Sequence, residues 1–342
     1  MTPTDPARYL WTMQYTTLGS SGLTVSRLCL GCMSYGTPAW RPWVLDEAAA
    51  RPFFRRAVEL GINFFDTADM YSLGVSEEVT GRLLREYARM DEVVVATKVF
   101  FEMRAGAPNT GGLSRKHIVQ GCEASLRRLG VDTIDLYQLH RFDPAVPLEE
   151  TLAALDWLVS QGKVRYLGAS TTYAWKLMKA LAIADQHGWA RFVSMQNHYN
   201  LLYREEEREM VQLCLDQGIG MIPWSPLARG LLAREASHGP VTSRGGSDQL
   251  TGQLYDHPGD QAIIAANAAV AAARGVSPAE TALSWVLSRP GVSAPIVGVT
   301  KLEQLESAAR AVELRLTPDE CTTLESSYTP RSLRGWYEGR CS

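Results

Sequence analysis

The sequence lacks the features that mark several large classes of protein. Its 342 residues carry a formal net charge of −3 and no block of basic residues, which argues against a nucleic-acid partner. The longest apolar stretch, near residues 262–273, is too short and too rich in alanine to cross a bilayer, so no membrane association is expected. The N-terminus has neither the charged start nor the apolar core of a signal peptide, which predicts a cytoplasmic protein.

Cysteine is also scarce, with six in the whole chain and one CxxC pair, formed by Cys29 and Cys32. A redox or zinc site would need this pair at a helix start, or a second pair elsewhere. Because Cys29 falls inside an apolar segment that is typical of a strand, small buried core thiols are the better interpretation.

The sequence does contain a regular alternation of secondary-structure patterns, in which apolar strand-like segments are followed by amphipathic helical segments. Near-continuous apolar strands are typical of a parallel sheet covered by helices on its faces. Eight such units predict a (β/α)₈ TIM barrel, and the rival doubly wound sheet is disfavoured because no GxGxxG follows any strand. The candidate strands are 27–31, 62–68, 93–98, 133–140, 164–170, 192–198, 220–226 and 294–299. The candidate helices between them include 45–61, 76–90 (capped by Ser76), 114–130, 148–162, 172–188 and 204–218.

Three segments lie outside the eight units. Residues 15–26 look like a β-hairpin ahead of the first barrel strand. Residues 231–260 form a long aperiodic stretch that is expected to overhang the mouth of the barrel and to become ordered over a bound cofactor. Residues 1–13 are expected to be a disordered extension, and 14–342 a single barrel domain. The sequence leaves homo-oligomerisation open.

Polar residues stand at the ends of three candidate strands, where they are costly without partners. Asp66, Lys98 and His140 end such strands, and Tyr71 follows Asp66 by five residues. In a barrel the C-terminal strand ends gather at one face, which is where active sites lie. A carboxylate, an ammonium, an imidazole and a phenol at that face can deliver a proton to a carbonyl oxygen.

Each of these residues also has a purely structural interpretation. Asp66 and Lys98 could form an ion pair in the barrel mouth, Tyr71 could be a packing residue, and His140 a core histidine. A metal-dependent barrel hydrolase is a further alternative, but it needs several histidines and carboxylates at strand ends, where only Asp66 and His140 qualify clearly. No metal is therefore expected.

The motifs around these residues resemble those of the aldo-keto reductases from about Met13 to Tyr337. The matching segments are TLGSSGLTVSRLCLGCMSYG, FFDTADMYSLGVSEEVTGRLL, ATKV, LYQLHRFDPAVPLEETL, GKVRYLGAST, QNHYNLLYREEEREM, IPWSPLARGLL and PIVGVTKLEQL. The chain looks most similar to a bacterial branch of NADP-dependent aryl-aldehyde or aryl-alcohol oxidoreductases. The resemblance implies reduction of an aldehyde or ketone by hydride from NADP(H).

The same resemblance assigns roles to the four residues. It implies that Tyr71 is the proton donor, that Lys98 and Asp66 tune it, and that His140 orients the substrate carbonyl. An ammonium about 4 Å from a phenol is worth roughly 4 kcal/mol at an effective dielectric constant of 20, so Lys98 is expected to bring the pKa of Tyr71 toward neutrality. An alternative within the family is a redox-sensing, NADP-binding subunit similar to the β-subunits of potassium channels.

Cofactor contacts are likewise implied by the resemblance. Trp224 offers a flat face to the nicotinamide, and a phosphate-binding loop follows it. The 2′-phosphate of NADP is expected near Lys301, at a helix start. The full expected set is Gly31, Cys32, Met33, Asp66, Ser170, Thr171, Gln196, Trp224, Ser225, Pro226, Leu227, Arg229, Gly230, Gly298, Thr300, Lys301 and Gln304. Family members often carry Glu-Asn facing the adenine, where this chain has Ser307 and Ala308.

Aromatic residues in the loops after the strands predict a pocket for a flat, apolar, small-molecule carbonyl substrate. The expected pocket residues are Tyr35, Trp40, Phe100 and Tyr199, with Trp43, Phe101 and Trp336 as further candidates. The same aromatic residues could instead pack between the barrel and its helices.

Overall fold

The computed structural model of this protein describes residues 13–233 and 249–334. Its main element is a sheet of eight parallel strands, confirming the predicted (β/α)₈ barrel. The strands are β3 (Cys29–Gly31), β4 (Phe64–Asp66), β5 (Val94–Val99), β6 (Ile134–Leu139), β7 (Val164–Ser170), β8 (Phe192–Gln196), β9 (Gly220–Met221) and β10 (Ile296–Val297). Each pairs with its neighbour in chain order, and β10 pairs with β3.

The barrel closes between β9 and β10 through backbone hydrogen bonds rather than a regular ladder. The amide of Met221 donates to the Gly291 carbonyl (2.8 Å), and Ser293 donates back to the Met221 carbonyl (2.8 Å). Further along, Ile296 donates to the Pro223 carbonyl (2.8 Å). These two strands are shorter than expected because each has a proline close by that cannot donate a ladder hydrogen bond.

Helices cover the outside of the barrel. They are α1 (Glu47–Glu59), α2 (Val75–Tyr87), α3 (Arg115–Leu129), α4 (Leu148–Ser160), α5 (Ala174–His187), α6 (Met210–Asp216), α7 (Gln249–Leu254), α8 (Asp260–Arg274), α9 (Pro278–Leu287), α10 (Leu302–Ala311) and α11 (Pro318–Glu325). Helix α3 shows how capping residues set the two ends of a helix. The Ser114 hydroxyl accepts from the His117 amide at its start, and Gly130 adopts the left-handed conformation at its end (φ 66°).

Two helix predictions need correction. Ser76 is not a cap, because α2 begins at Val75 and is preceded by Gly74 in the left-handed region (φ 98°). The Ser76 hydroxyl is instead buried, donating to the Cys32 carbonyl (2.8 Å) and bonding the Thr67 hydroxyl (2.9 Å). The expected helix over 204–218 is divided into a 3₁₀ turn, Glu205–Arg208, and the shorter α6.

The N-terminal hairpin forms as expected, with β1 (Tyr15–Thr17) antiparallel to β2 (Thr24–Ser26). Its Leu18 and Val25 are fully buried and join an apolar cluster with Cys29 and Phe64 on the inside of the barrel. The hairpin therefore plugs the N-terminal end of the barrel, and the open end is the one at which the strands finish.

Several expectations concern residues that the structure does not describe or only partly describes. The expected N-terminal extension lies outside the described residues, except that Met13 packs against the core. Residues 234–248, half of the long segment 231–260, also lie outside them. Among the described residues, no single helix is long and apolar enough to cross a membrane.

Candidate active site

The barrel brings together the four polar residues that the sequence places at strand ends. Asp66 is the last residue of β4, Lys98 lies near the end of β5, and His140 directly follows β6. Tyr71 begins a 3₁₀ turn, Tyr71–Gly74, between β4 and α2. All four side chains are buried, with Lys98 fully so.

Lys98 is the centre of the cluster, because its ammonium contacts three groups. It donates to Asp66 Oδ1 (2.5 Å), to the Thr67 carbonyl (2.8 Å) and to the Tyr71 hydroxyl (3.3 Å). Three acceptors match the three donor hydrogens of an ammonium, so its burial is compensated. The charge is thereby fixed beside the phenol.

Asp66 is held by amides on the opposite side of its carboxylate. Its Oδ2 accepts from Gln138 Nε2 (2.9 Å) and from Gln196 Nε2 (2.9 Å), and Gln196 also donates to Gln138 Oε1 (3.0 Å). Gln138 was not among the expected site residues. The sequence did indicate it, however, because a glutamine inside an apolar strand needs a buried hydrogen-bond partner.

Burial and charge act against each other on the two central groups. Burial works to lower the pKa of Lys98, but Asp66 and Tyr71 outweigh it and raise that pKa above its usual value. Burial raises the pKa of Tyr71, and Lys98 offsets this only in part. Lys98 thus acts on the Tyr71 pKa in the expected direction, but burial has the larger effect and leaves that pKa above its usual value, so the phenol stays protonated at neutral pH.

His140 is held neutral by its surroundings. Burial, followed by the charges of Lys98 and Arg141, holds the pKa of His140 well below its usual value. Its ring meets the Tyr71 ring edge-on (5.7 Å between centroids) and the Phe101 ring likewise (4.8 Å). A neutral imidazole beside a phenol can donate one hydrogen bond to an oxygen that lies between them.

Asp69 is a second buried carboxyl next to this group. Both of its carboxylate oxygens are buried and have no hydrogen-bond partner. Burial, together with the nearby charge of Glu77, raises the pKa of Asp69 well above its usual value. Asp69 is not ion-paired with Lys98, and within the described residues the ammonium has one carboxylate partner, Asp66.

The Tyr71 turn has an unusual backbone. Ser72 and Leu73 both adopt left-handed conformations (φ 51° and 52°) ahead of Gly74. Ser72 is buried, and its hydroxyl accepts from the Thr37 amide (3.2 Å), which joins this turn to the loop after β3. Strained backbone of this kind persists where the surrounding structure fixes it.

Trp224 is the outermost ring of a stack of three. His198 lies parallel to Trp224 on one side and to Tyr203 on the other, with centroids 4.2 Å apart in each case. Trp224 Nε1 donates to the Thr171 hydroxyl (3.2 Å). The indole is half-buried, so it is a rigid, supported platform. His198 was not an expected site residue, and only its place two residues after a strand end hinted at it.

Ser170, Thr171 and Gln196 lie together where β7 and β8 end. The Ser170 hydroxyl donates to the Gln196 carbonyl (3.0 Å), and the Thr171 amide donates to the same carbonyl (3.0 Å). Thr171 is held in the left-handed region (φ 41°). The side chain of Gln196 donates to Asp66, so Gln196 supports the catalytic tetrad (Asp66, Tyr71, Lys98 and His140) as well as lining the site.

The loop after β9 is a series of tight turns with left-handed backbone. Ser225, Ala228, Arg229 and Gly230 all adopt positive φ (52°, 48°, 56° and 95°). The Ala228 amide donates to the Ser225 carbonyl (2.9 Å), and the Gly230 amide donates to the Leu227 carbonyl (2.9 Å). Arg229 is anchored by donation from its Nε to the Thr251 hydroxyl (3.2 Å). Pro226 is buried, and Leu227 is half-buried beside the core.

The remaining expected cofactor residues lie at the ends of β3 and β10. A side chain at Gly31 would meet Ile296 Cγ2 at 2.8 Å, so glycine is required there. The neighbouring Cys32 is fully buried, and burial raises the pKa of its thiol to about 12. At the start of α10, the Gln304 side chain accepts from the amides of Thr300 (3.0 Å) and Lys301 (3.2 Å). Gly298, Thr300 and Lys301 are exposed, and Met33 is half-buried.

The aromatic residues divide into those beside the tetrad and those in the core. Trp40 lies 6.3 Å from the Tyr71 ring, and Phe101 lies against His140, with the buried Phe100 behind it. Trp43 meets Trp40 edge-on at 6.4 Å.

Tyr35 and Tyr199 are corrections to the expected pocket. Tyr35 is fully buried against Phe53 and Phe54 of α1 and donates to the Val299 carbonyl (3.1 Å). Tyr199 is buried, donates to Glu207 (2.7 Å) and packs on Trp285. Both aromatic rings fill spaces between the barrel and its helices and belong to the main apolar core. Trp336 lies outside the described residues.

No group of three or more histidine, cysteine, aspartate and glutamate side chains is arranged to hold a metal ion within residues 13–233 and 249–334. The described cysteines are all free, and Cys29, Cys32, Cys122 and Cys214 are buried, as expected of core thiols.

Comparison with known proteins agrees with this geometry. The family model for the aldo/keto reductase family matches residues 27–329. Versiconal hemiacetal acetate reductase of Aspergillus parasiticus is 42% identical over 94% of this chain and 98% of its own length. A Schizosaccharomyces pombe protein that is provisionally named an aryl-alcohol dehydrogenase is 43% identical over 94% of this chain and 97% of its own. An aldo-keto reductase of Metarhizium robertsii is 40% identical over 94% and 93%. These relatives are fungal, so they give no support to the expected bacterial branch. The chain belongs to the aldo/keto reductase family of oxidoreductases.

Proposed function

We propose that this protein reduces an aldehyde or ketone to an alcohol with NADPH, and that Tyr71 is the proton donor. The observation that carries the proposal is the contact between the Tyr71 hydroxyl and the buried ammonium of Lys98 (3.3 Å). A phenol in this setting is protonated at neutral pH, and the ammonium favours the phenolate that remains after the proton leaves. Tyr71 can therefore act as an acid toward a carbonyl oxygen, which is the role that reduction of a carbonyl requires.

The roles of the chain's residues follow from their contacts. When bound, the nicotinamide supplies the hydride. Tyr71 gives its proton to the carbonyl oxygen, while neutral His140 donates a hydrogen bond to the same oxygen and holds it in place. Lys98 stabilises the negative charge left on Tyr71, and Asp66 holds Lys98 charged and oriented. General acid catalysis of this kind typically contributes 10²- to 10⁴-fold in rate.

The residues present fit a nicotinamide dinucleotide. Trp224 has one face backed by His198, which leaves the other face for a flat ring. The left-handed segment 225–230 with Arg229 suits a diphosphate. Ser170 and Thr171 offer hydroxyls at the strand end for a carboxamide.

The preference for NADP over NAD is proposed to depend on Lys301. This exposed ammonium stands directly before α10, where its own charge and the N-terminus of the helix both favour an anion. Ser307 and Ala308, which replace the family's adenine-facing pair, are buried, and Ser307 bonds Ser277 (3.0 Å) instead. We therefore expect discrimination between NADP and NAD to depend on contacts with the 2′-phosphate rather than on contacts with the adenine.

Lys301→Glu is expected to raise the Kd of NADPH by at least tenfold and that of NADH by less than threefold. The change replaces attraction by repulsion at the 2′-phosphate, which NADH lacks. Titration of protein fluorescence with each cofactor measures both constants. Lys179→Glu on the exposed part of α5 is the control for the change in net charge. Equal weakening of both cofactors would contradict the assignment.

The substrate class is proposed from the rings beside the tetrad. Trp40 and Phe101 present flat apolar surfaces next to Tyr71 and His140, which suits an aryl aldehyde. The name of the Schizosaccharomyces pombe relative is in keeping with this. The test is consumption of NADPH with benzaldehyde, followed by absorbance, with benzyl alcohol identified as the product.

The alternative is a redox-sensing subunit that binds NADP and turns over slowly or not at all. Binding of NADPH without reduction across a panel of aromatic and aliphatic aldehydes would support that alternative. Steady-state reduction at one turnover per second or faster, within the ordinary range of enzymes, would exclude it.

A further inference from the structure

Arg141 is a cation beside the tetrad without a carboxylate partner among the described residues. It directly follows His140, and its one hydrogen bond to a described residue goes from Nη1 to the His140 carbonyl (2.6 Å). Its guanidinium lies 5.8 Å from the centre of the Phe101 ring. Burial lowers the pKa of Arg141 to about 10, which records how far the charge has been withdrawn from water. A guanidinium has five donors, so most of its capacity is unused.

Arg41 is the second such cation, and it lies over aromatic rings of the loop after β3. Its guanidinium lies 4.7 Å from the centre of the Trp40 ring and 6.0 Å from that of Trp43. Its Nε is buried with no hydrogen-bond partner. Trp40 is in turn the ring that neighbours Tyr71.

These arginines differ from others that lie on the outside of the barrel. Arg128 is paired with Glu77 (2.6 Å) and Arg165 with Asp135 (3.0 Å), for example. Partly buried guanidinium groups are costly unless an anion compensates them. The proposed mechanism needs no hydrogen bond from Arg41 or Arg141 to the substrate, although the charge of Arg141 contributes to the lowered pKa of His140.

We propose that Arg141, together with Arg41, forms an anion-binding subsite at the mouth, and that the preferred substrate is an aromatic aldehyde carrying a carboxylate. The aromatic rings of Trp40 and Phe101 would hold the flat body of the substrate, and each is already covered by one guanidinium. An arginine binds a carboxylate with two parallel hydrogen bonds, which a neutral ester or amide cannot replace. This inference rests on the proposed function, since it specifies the substrate of the same site.

The direct test compares 4-formylbenzoate with its methyl ester, two aldehydes of similar shape that differ in charge. We expect the wild-type protein to reduce 4-formylbenzoate with a KM tenfold to a hundredfold lower than that of the ester, which is the range of a charge-assisted hydrogen bond. In Arg141→Gln, the KM for 4-formylbenzoate should rise by that factor, while the KM for the ester changes less than threefold.

Three further variants sharpen the result. Arg41→Gln should raise the KM of the carboxylate by a smaller factor, because one guanidinium remains. Arg141→Lys keeps the charge but loses the two-pronged geometry, so it should recover part of the affinity. Arg127→Gln removes the same charge from the exposed end of α3, at the opposite end of the barrel, and should change neither constant.

Binding to the protein saturated with NADP⁺ provides a readout that needs no turnover, since no hydride is present. Calorimetric titration of 4-formylbenzoate should show the same loss of affinity in Arg141→Gln. Equal affinity for acid and ester would overturn the subsite while leaving the reductase proposal intact. Weaker binding of NADPH in Arg141→Gln, with an unchanged preference for the acid, would assign the arginine to the cofactor and also overturn it. Reduction of neither aldehyde would contradict the proposed function alone, because the binding titration still tests the subsite.

Discussion

Tyr71→Phe is expected to lower kcat for an unactivated aldehyde by 10²- to 10⁴-fold while leaving the Kd of NADPH within about threefold. The substitution removes one oxygen that accepts from Lys98 at 3.3 Å and leaves the buried ring in place. The ammonium keeps its bonds to Asp66 and to the Thr67 carbonyl, so the fold should persist. Single-turnover reduction with saturating NADPH measures the chemical step directly.

The matched control is Tyr15→Phe in the N-terminal hairpin. It removes a phenol hydroxyl that donates to the Gly61 carbonyl (2.7 Å) at the closed end of the barrel, and it should not change kcat. Retention of more than about a tenth of kcat in Tyr71→Phe would show that another group delivers the proton.

Lys98→Met is expected to abolish most activity and also to destabilise the protein. The pKa of Tyr71, already raised by burial, should rise further without the ammonium that offsets it, so the pH profile of any remaining activity shifts toward basic pH. Asp66 would keep two amide donors but lose its counter-charge in a buried site. Breaking a buried pair in this way typically costs about 3–5 kcal/mol.

The loss of activity can be separated from the loss of stability. In the double variant Lys98→Met with Asp66→Asn both charges of the pair are removed, so thermal unfolding should return toward the wild-type midpoint. Activity should stay absent, because the phenol still lacks its ammonium. An unchanged pH profile in Lys98→Met would show that Lys98 does not act on Tyr71, and recovery of activity in the double variant would contradict a catalytic role for the pair.

The position of the site could be predicted from sequence, because strand ends are visible as the points where an apolar run meets a charged residue. Asp66, Lys98 and His140 were identified this way, and the barrel then brought them together. The hydrogen bonds of Asp66 could not be predicted, since they join residues on different strands. They depend on which side chains point inward at one level of the barrel.

The aromatic residues show where sequence reasoning fails. Tyr35 and Trp40 both follow β3, yet one packs under α1 and the other stands beside Tyr71. Both are aromatic residues in the same loop, and what separates them is the three-dimensional path of that loop. The net pKa of Tyr71 could not be predicted for a related reason. Lys98 lowers that pKa as expected, but burial raises it by more, and burial is a property of the folded surroundings.

The carboxylate of Asp66 also sets an order of assembly. Its donors come from residues 32, 72 and 130 positions further along the chain, on β5, β6 and β8. As the chain emerges during synthesis, the ammonium partner is present early, but Oδ2 gains its second amide only after β8 has docked. Contacts of such wide separation in sequence are the slow ones in folding. We therefore expect catalytic activity to be acquired late in folding, after the barrel has closed. A chain ending after β7 would contain Asp66 and Lys98 but would lack the amide that Gln196 donates to Asp66.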